Sequence, residues 1–175
     1  SSPQNAVKLL ITDDALEAKL LAKQLGEENS KRQSLESDIL EEAFKKIEAD
    51  SRYEEEKVLV VYGEEWHHGV IGIVASRIVE RYHKPTIVLS IEQGVAKGSA
   101  RSIYKFNLFK ALEACGDLFI KFGGHEQAAG LSLVVQNIHI FRTRINKIAD
   151  GILTEEDMVQ GLYCDTELPL SKINE

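Results

Sequence analysis

Three short runs carry the side chains able to do chemistry. In KFGGHEQAAG, Lys121–Gly130, Gly123 and Gly124 precede His125, and two alanines and a glycine follow Glu126 and Gln127. Glycine has no Cβ to hold another molecule off the backbone, so such a run admits close approach. The apolar LSLVV after it predicts a buried strand fed by a turn, and polar turns at strand ends are where open α/β sheets place ligands. A tight turn with a surface His explains the same residues. In KGSARSIYKF, Lys97–Phe106, Ser99 and Ser102 flank Arg101 after Gly98. Hydroxyls, a glycine amide and a planar guanidinium fork suit a phosphate, with Lys97 and Lys105 adding charge; an edge strand with solvated cations is the alternative. In EEWHHGVIG, a helix starting near Gly69 turns its free amides toward the loop before it, an anion-ready position. Trp66 there either stacks on a base or anchors the loop in the core. Adjacent His67 and His68 point in different directions, which argues against a two-His metal site. If Arg101 and His125 share one cleft, a phosphodiester site follows more readily than a metal site. Asp13, Asp14 and the Glu54–Glu56 run are accounted for as helix cap and solvated charge.

The elements that must position these runs follow from periodicity. Ser1–Ile11 reads as a lead-in with an apolar patch at Val7–Ile11. Thr12 caps a helix whose first aspartates suit the dipole. The helical pattern then runs to about Ala49, with Gly26 a candidate break. Its stripes, Leu16, Leu20, Leu21, Leu25 and then Leu35, Ile39, Ala43, Phe44, Ile47, are separated by the all-polar GEENSKRQS. A helix amphipathic at both ends and polar in the middle reads as a connector with no continuous face to bury. Lys57–Tyr62 is a β-branched strand, Val70–Tyr82 a helix ended by Pro85, and Thr86–Ile91 and Val95–Arg101 a hairpin about Gln93-Gly94. Asn107 caps a helix carrying Leu108, Phe109, Leu112 and Cys115. Strand Leu131–Val135 precedes an amphipathic helix stepping through Ile138, Phe141, Ile145, Ile148 and Ile152, and Gly161–Thr166 is a last strand. The expected fold class is α/β, a mixed central β-sheet flanked by helices and preceded by a long connector helix.

The bulk numbers set bounds. The 175 residues, 43% hydrophobic and 28% charged, allow one good core and a short appendage. A net charge of −7 means that the chain as a whole does not attract polyanions, although a local basic cleft can sit on an acidic body. Cys115 and Cys164 lie far apart without a CxxC and read as buried thiols in a reducing cytoplasm. No apolar run reaches membrane-spanning length, and the N-terminus does not read as a signal peptide.

Three blocks together, WHHGVIGIVASRIVERYHKPTIVLS, KGSARSIYKFNLFKALEAC and FGGHEQAAGLSL, resemble in order and spacing the RecJ family of bacterial single-stranded-DNA exonucleases, and within it the DHH-associated domain. The resemblance is close over Val58–Leu133 and looser over Leu9–Ala49. It implies a two-lobed phosphoesterase of DNA repair and recombination. There an Asp- and His-rich lobe holds manganese or magnesium and hydrolyses the phosphodiester, and a long helix joins it to the lobe seen here. Single-stranded DNA threads the cleft from a 5′ end. Carried onto this sequence, the substrate-binding residues are Ser99, Arg101, Ser102, Gly123, Gly124, His125, Trp66 and His67. His125 also has a supporting catalytic role facing the metal lobe, and no metal is expected in this chain itself. Candidate partners of the parent are a single-stranded-DNA-binding protein or a helicase. The catalytic Asp-Asp-His and Asp-His-His blocks are absent, and Thr12-Asp13-Asp14 does not replace them. The expected division is 1–55 connector, 56–166 DHH-associated domain and 167–175 the start of an OB-type domain, in a fragment inactive alone. Alternatives are another DHH-type phosphodiesterase, for oligonucleotides or cyclic dinucleotides, and a non-catalytic nucleic-acid-binding module.

Overall fold

The structure, a computed structural model, describes residues 3–161 and 166–169. It begins with α1 (Pro3–Ile11), where Pro3 takes the first helical position, in which its missing N–H costs nothing. The stretch expected as a lead-in is thus helical. The next helix, α2 (Ala15–Ala49), is capped by Asp14, whose Oδ1 accepts from the amides of Leu16 (2.8 Å) and Glu17 (3.3 Å). Thr12, the expected cap, serves the turn instead: its hydroxyl accepts from Asp14 N and donates to Glu17 Oε2. Gly26 does not interrupt α2. An isolated glycine costs a helix only about 1 kcal/mol, which the neighbouring helix formers offset.

The sheet has five strands in the order β1-β2-β3-β5-β4. These are β1 (Leu59–Glu64), β2 (Thr86–Glu92), β3 (Val95–Arg101), β4 (Phe119–Gly124) and β5 (Ala128–Val134). A crossover through α4 (Ile71–Tyr82) makes β1 and β2 parallel, and the other pairs are antiparallel. Gln93 and Gly94, both at positive φ (50° and 79°), form the two-residue turn that twists with its strands. The helix α4 ends on His83 in the left-handed region (φ 51°), and Pro85 follows. Short α3 (Arg52–Glu55), α5 (Leu108–Glu113) and α6 (Ile138–Asp150) complete the helices. Gly161 and Thr166 are in no strand; the residues between them lie outside the described ones.

Each face of the sheet has its own core. Phe106, Leu108 and Leu112 around α5, with Phe141 and Ile145 of α6, pack under Leu89, Leu131 and Leu133. On the opposite face, Ile39, Ala43 and Ile47 of α2 and Val74 and Ile78 of α4 pack on Leu59, Val61 and Val88. This second core covers only the β1–β2 side, and beyond β3 the face is bare. The last turns of α2 therefore belong to the core, while its polar middle does not. Hydrogen exchange should be fast through Glu27–Ser34 and slow at Val58–Val61; uniform protection across Asn29 and Arg32 would contradict this division.

Candidate nucleic-acid interface

Two of the three runs share the bare face, and the third reaches its edge through Gly72. Cross-strand pairing sets them in rows, because directly opposed residues share a face. Arg101 lies opposite Ala128, whose carbonyl accepts from His125 N at 2.8 Å. The next row is Ser99, Gly130 and Gly123, and the one after it Lys97, Ser132 and Lys121. The first turn of α4 closes on the first two rows: a Cβ on Gly72 would come within 3.0 Å of both Arg101 Nη2 and Ser99 Oγ. Glycine at 72 is what lets the positive end of α4 approach the guanidinium, a residue the sequence reading did not single out.

Arg101 is half-buried and preset. Its Nη1 donates to Ser99 Oγ (3.1 Å) and Ala100 O (2.8 Å), which fixes the fork against β3. Among the described residues no carboxylate pairs with Arg101, Lys97 or Lys121, whereas most other cations of this acidic chain have acidic partners. Lys105, expected to add charge here, turns instead to Asp157 at 3.9 Å.

The tip carrying His125 is fastened from below. Ser102 N donates to Gln127 O (2.9 Å), Leu108 N to Glu126 O (3.0 Å) and Asn107 Nδ2 to Glu126 Oε1 (2.8 Å). Gly124 sits at φ +151°, and a Cβ there would come within 2.4 Å of Ala128 O, so only glycine fits. Gly124 is thus a turn former, His125 remains exposed, and Gly123 borders open space. The sequence reading made this run a turn; in the structure Phe119–Gly124 is itself a strand.

Two expected ligand contacts take other places. Trp66 is 3% exposed, stands against Gly63 and donates from Nε1 to Glu42 Oε2 at 2.8 Å. It anchors the loop in the core and offers no ring face to a base. The Ser102 hydroxyl donates to Phe106 O at 2.6 Å and clasps the loop after β3. His67 is exposed; its Nδ1 accepts from Gly69 N at 3.0 Å, and it borders a cleft of about 540 Å³ that also touches Asn29 and Arg32 of α2. His68 pairs with Glu92 at 3.1 Å, pointing away from His67 as expected of neighbours.

Burial pushes the Cys115 thiol up to about 11, which suppresses the thiolate that a nucleophile needs. Among the described residues no group of three or more His, Cys, Asp or Glu side chains is placed to hold a metal ion, and no helix is long and apolar enough to cross a membrane.

Fold and face together define an α/β module whose mixed sheet is covered by helices on one face and left bare beyond β3 on the other. The DHHA1 domain model matches residues 55–151, more than half of the sequence, and the chain belongs to the DHHA1 domain family. It is 44% identical over 168 residues to the single-stranded-DNA-specific exonuclease RecJ of Bacillus subtilis, covering 93% of this chain and 21% of that protein. To its Escherichia coli namesake it is 38% identical over 162 residues, covering 89% and 28%. The crystal structure of RecJ in complex with Mg2+ from Thermus thermophilus superposes with a TM-score of 0.75 at 36% identity, over 86% of this chain and 23% of that one. An exonuclease RecJ bound to manganese gives 0.71 at 37%, over 84% and 36%. The chain thus spans between a fifth and a third of the length of these curated relatives.

Proposed function

We propose that this chain is the substrate-binding part of a RecJ-like 5′-to-3′ single-stranded-DNA exonuclease of DNA repair and recombination, located in the cytoplasm. In this reading residues 1–55 are the connector, 56–166 the DHH-associated domain and 167–175 the start of an OB-type domain. The observation that carries it is the bare half-sheet: Arg101, Lys97 and Lys121 without carboxylate partners among the described residues, on a floor of Gly123 and Gly130. Charged groups of one sign on a local surface attract a polyanion even when net charge opposes it. Arg101, oriented by Ser99, offers two donors in one plane to a terminal phosphate. His125 stands at the far end of the Arg101 row, beyond Ala128, where in this reading it faces the bound strand and the lobe that carries out hydrolysis. Manganese or magnesium, and hydrolysis itself, belong to a part of the protein outside this chain. A single-stranded-DNA-binding protein or a helicase is the proposed partner of the whole enzyme.

The test is to mix the 175-residue chain with labelled single-stranded and duplex oligonucleotides, with and without manganese, over a range of salt. Binding that prefers single strands and weakens with salt, with the oligonucleotide left at full length, is the expected result. Equal affinity for duplex would overturn the reading. So would shortening of the strand that survives repurification and disappears in His125→Ala.

A further inference from the structure

We infer that the groove between β3 and β4, rimmed by Lys97 and Lys121 and floored by Gly130 and Gly123, is a second phosphate subsite that takes an internal phosphate of the strand whose end lies at Arg101. The inference rests on the function proposed above and deepens it, since that reading places a terminal phosphate at Arg101 and assigns no separate phosphate to the Lys97–Lys121 row.

The geometry is that of the sheet. Lys97, Ser132 and Lys121 are directly opposed across three neighbouring strands. Strands lie about 4.8 Å apart, so the two lysine Cα atoms stand roughly 10 Å from each other with Ser132 between them. Two flexible ammonium groups on such a base converge on one anion above the serine. Ser132 Oγ donates to Lys121 O at 3.4 Å, a long hydrogen bond from which the hydroxyl proton has to turn to reach an anion above the groove floor. Between this row and Arg101 lies the row Ser99–Gly130–Gly123. A Cβ added to Gly123 would meet nothing within 4 Å, and one added to Gly130 only Gly98 O at 3.8 Å. The middle row is therefore a lane with room above it, and the groove measures about 440 Å³.

The spacing suits one ligand chemistry. Residues two apart on a strand are separated by about 6.7 Å, so the cationic rows at 101 and 97 stand roughly 13 Å apart. A stacked nucleic-acid strand advances about 3.4 Å per nucleotide, so this span holds about four nucleotides, and fewer when the strand is drawn out. Cation, small residues, cation is an order that suits a sugar–phosphate chain: charge at two of its phosphates and clearance for what lies between. An acidic peptide carries charge too, but it needs no side-chain-free lane.

The decisive comparison uses ligand length. The probes are thymidine 5′-monophosphate and 5′-phosphorylated oligothymidylates of two and six nucleotides, titrated against the 175-residue chain by NMR and fluorescence anisotropy at several salt concentrations. In Lys97→Gln/Lys121→Gln, affinity for the hexamer should fall at least fivefold while the mononucleotide is unaffected. The slope of log affinity against log salt should become shallower by about 0.7 to 1.4, as for one or two fewer single-strand phosphate contacts. Gly130→Val keeps every charge and adds a strand-favouring side chain where no atom obstructs it. It should lower hexamer affinity by a similar factor, and an unchanged melting temperature reports that it folds. If the lysine variant leaves the hexamer unchanged while Arg101→Ala weakens it, the second subsite is wrong and the proposed function stands. If neither variant matters, or if the chain binds no probe, both fall. A hexaglutamate peptide that displaces the hexamer from wild type at equal concentration, and loses affinity in the lysine variant, would make the groove a surface for acidic protein and overturn the inference.

Discussion

Replacing Arg101 by Ala should weaken binding of 5′-phosphorylated single strands by about ten- to a hundredfold. The guanidinium is held by Ser99 Oγ and Ala100 O through one nitrogen, has no carboxylate partner among the described residues, and is backed by the first turn of α4. A hydrogen bond to a charged group contributes about 1.5–3 kcal/mol, and that is the contact an alanine removes. Lys at this position should restore only part, because a point charge lacks the planar fork and cannot use Ser99 to set its direction. The check is affinity for 5′-phosphate against 5′-hydroxyl oligonucleotides at one fixed salt concentration. An equal and slight loss for both ends would make Arg101 ordinary surface charge.

Trp66→Ala should lower stability by about 3–5 kcal/mol, the usual cost of emptying a large aromatic site in a core. For a chain of this size that is a melting-temperature drop of roughly 6–20 °C. The indole touches the backbone at Gly63, where a Cβ would come within 2.2 Å of the ring, and reaches Glu42 on α2, so it ties the loop before α4 to the long helix. The conservative Trp66→Phe separates a core role from a stacking role. It keeps most of the apolar volume, and the half-exposed Glu42 regains water, so stability should fall far less and oligonucleotide affinity should not change. A Phe variant that melts like wild type yet binds single strands several-fold more weakly would return Trp66 to the ligand.

The contrast between these two residues shows what local pattern conveys. Val70–Tyr82 and Thr86–Ile91 were read within one residue of α4 and β2, because strict periodicity and a terminating proline are local signals. The serine–arginine spacing was readable for the same reason: alternate strand residues share a face. Phe119–Gly124 is not legible as a strand because the register shifts between Phe119 and Lys121, which breaks the two-residue period, and because two glycines close it. Trp66 could not be placed from its neighbours, since what buries it comes from Glu42 and Gly63. Ser102 stood beside Arg101 in the chain, yet the end of β3 turns its hydroxyl onto Phe106. Gly72 has no signal in a single sequence beyond being a glycine in a helix. Its reason, the approach of α4 to Arg101, exists only in three dimensions.

The fastening of the β4–β5 tip has a thermodynamic consequence. Glu126 and Gln127 bond downward to residues 102–108 through backbone and side chain alike, and the Gly124 turn admits no other residue. The loop that presents His125 is therefore ordered before any ligand arrives. Its conformational entropy is lost once, during folding, and is not charged again against each binding event. In the function proposed above, a strand meeting this face has to order itself alone, and release leaves the receiving surface ready for the next encounter.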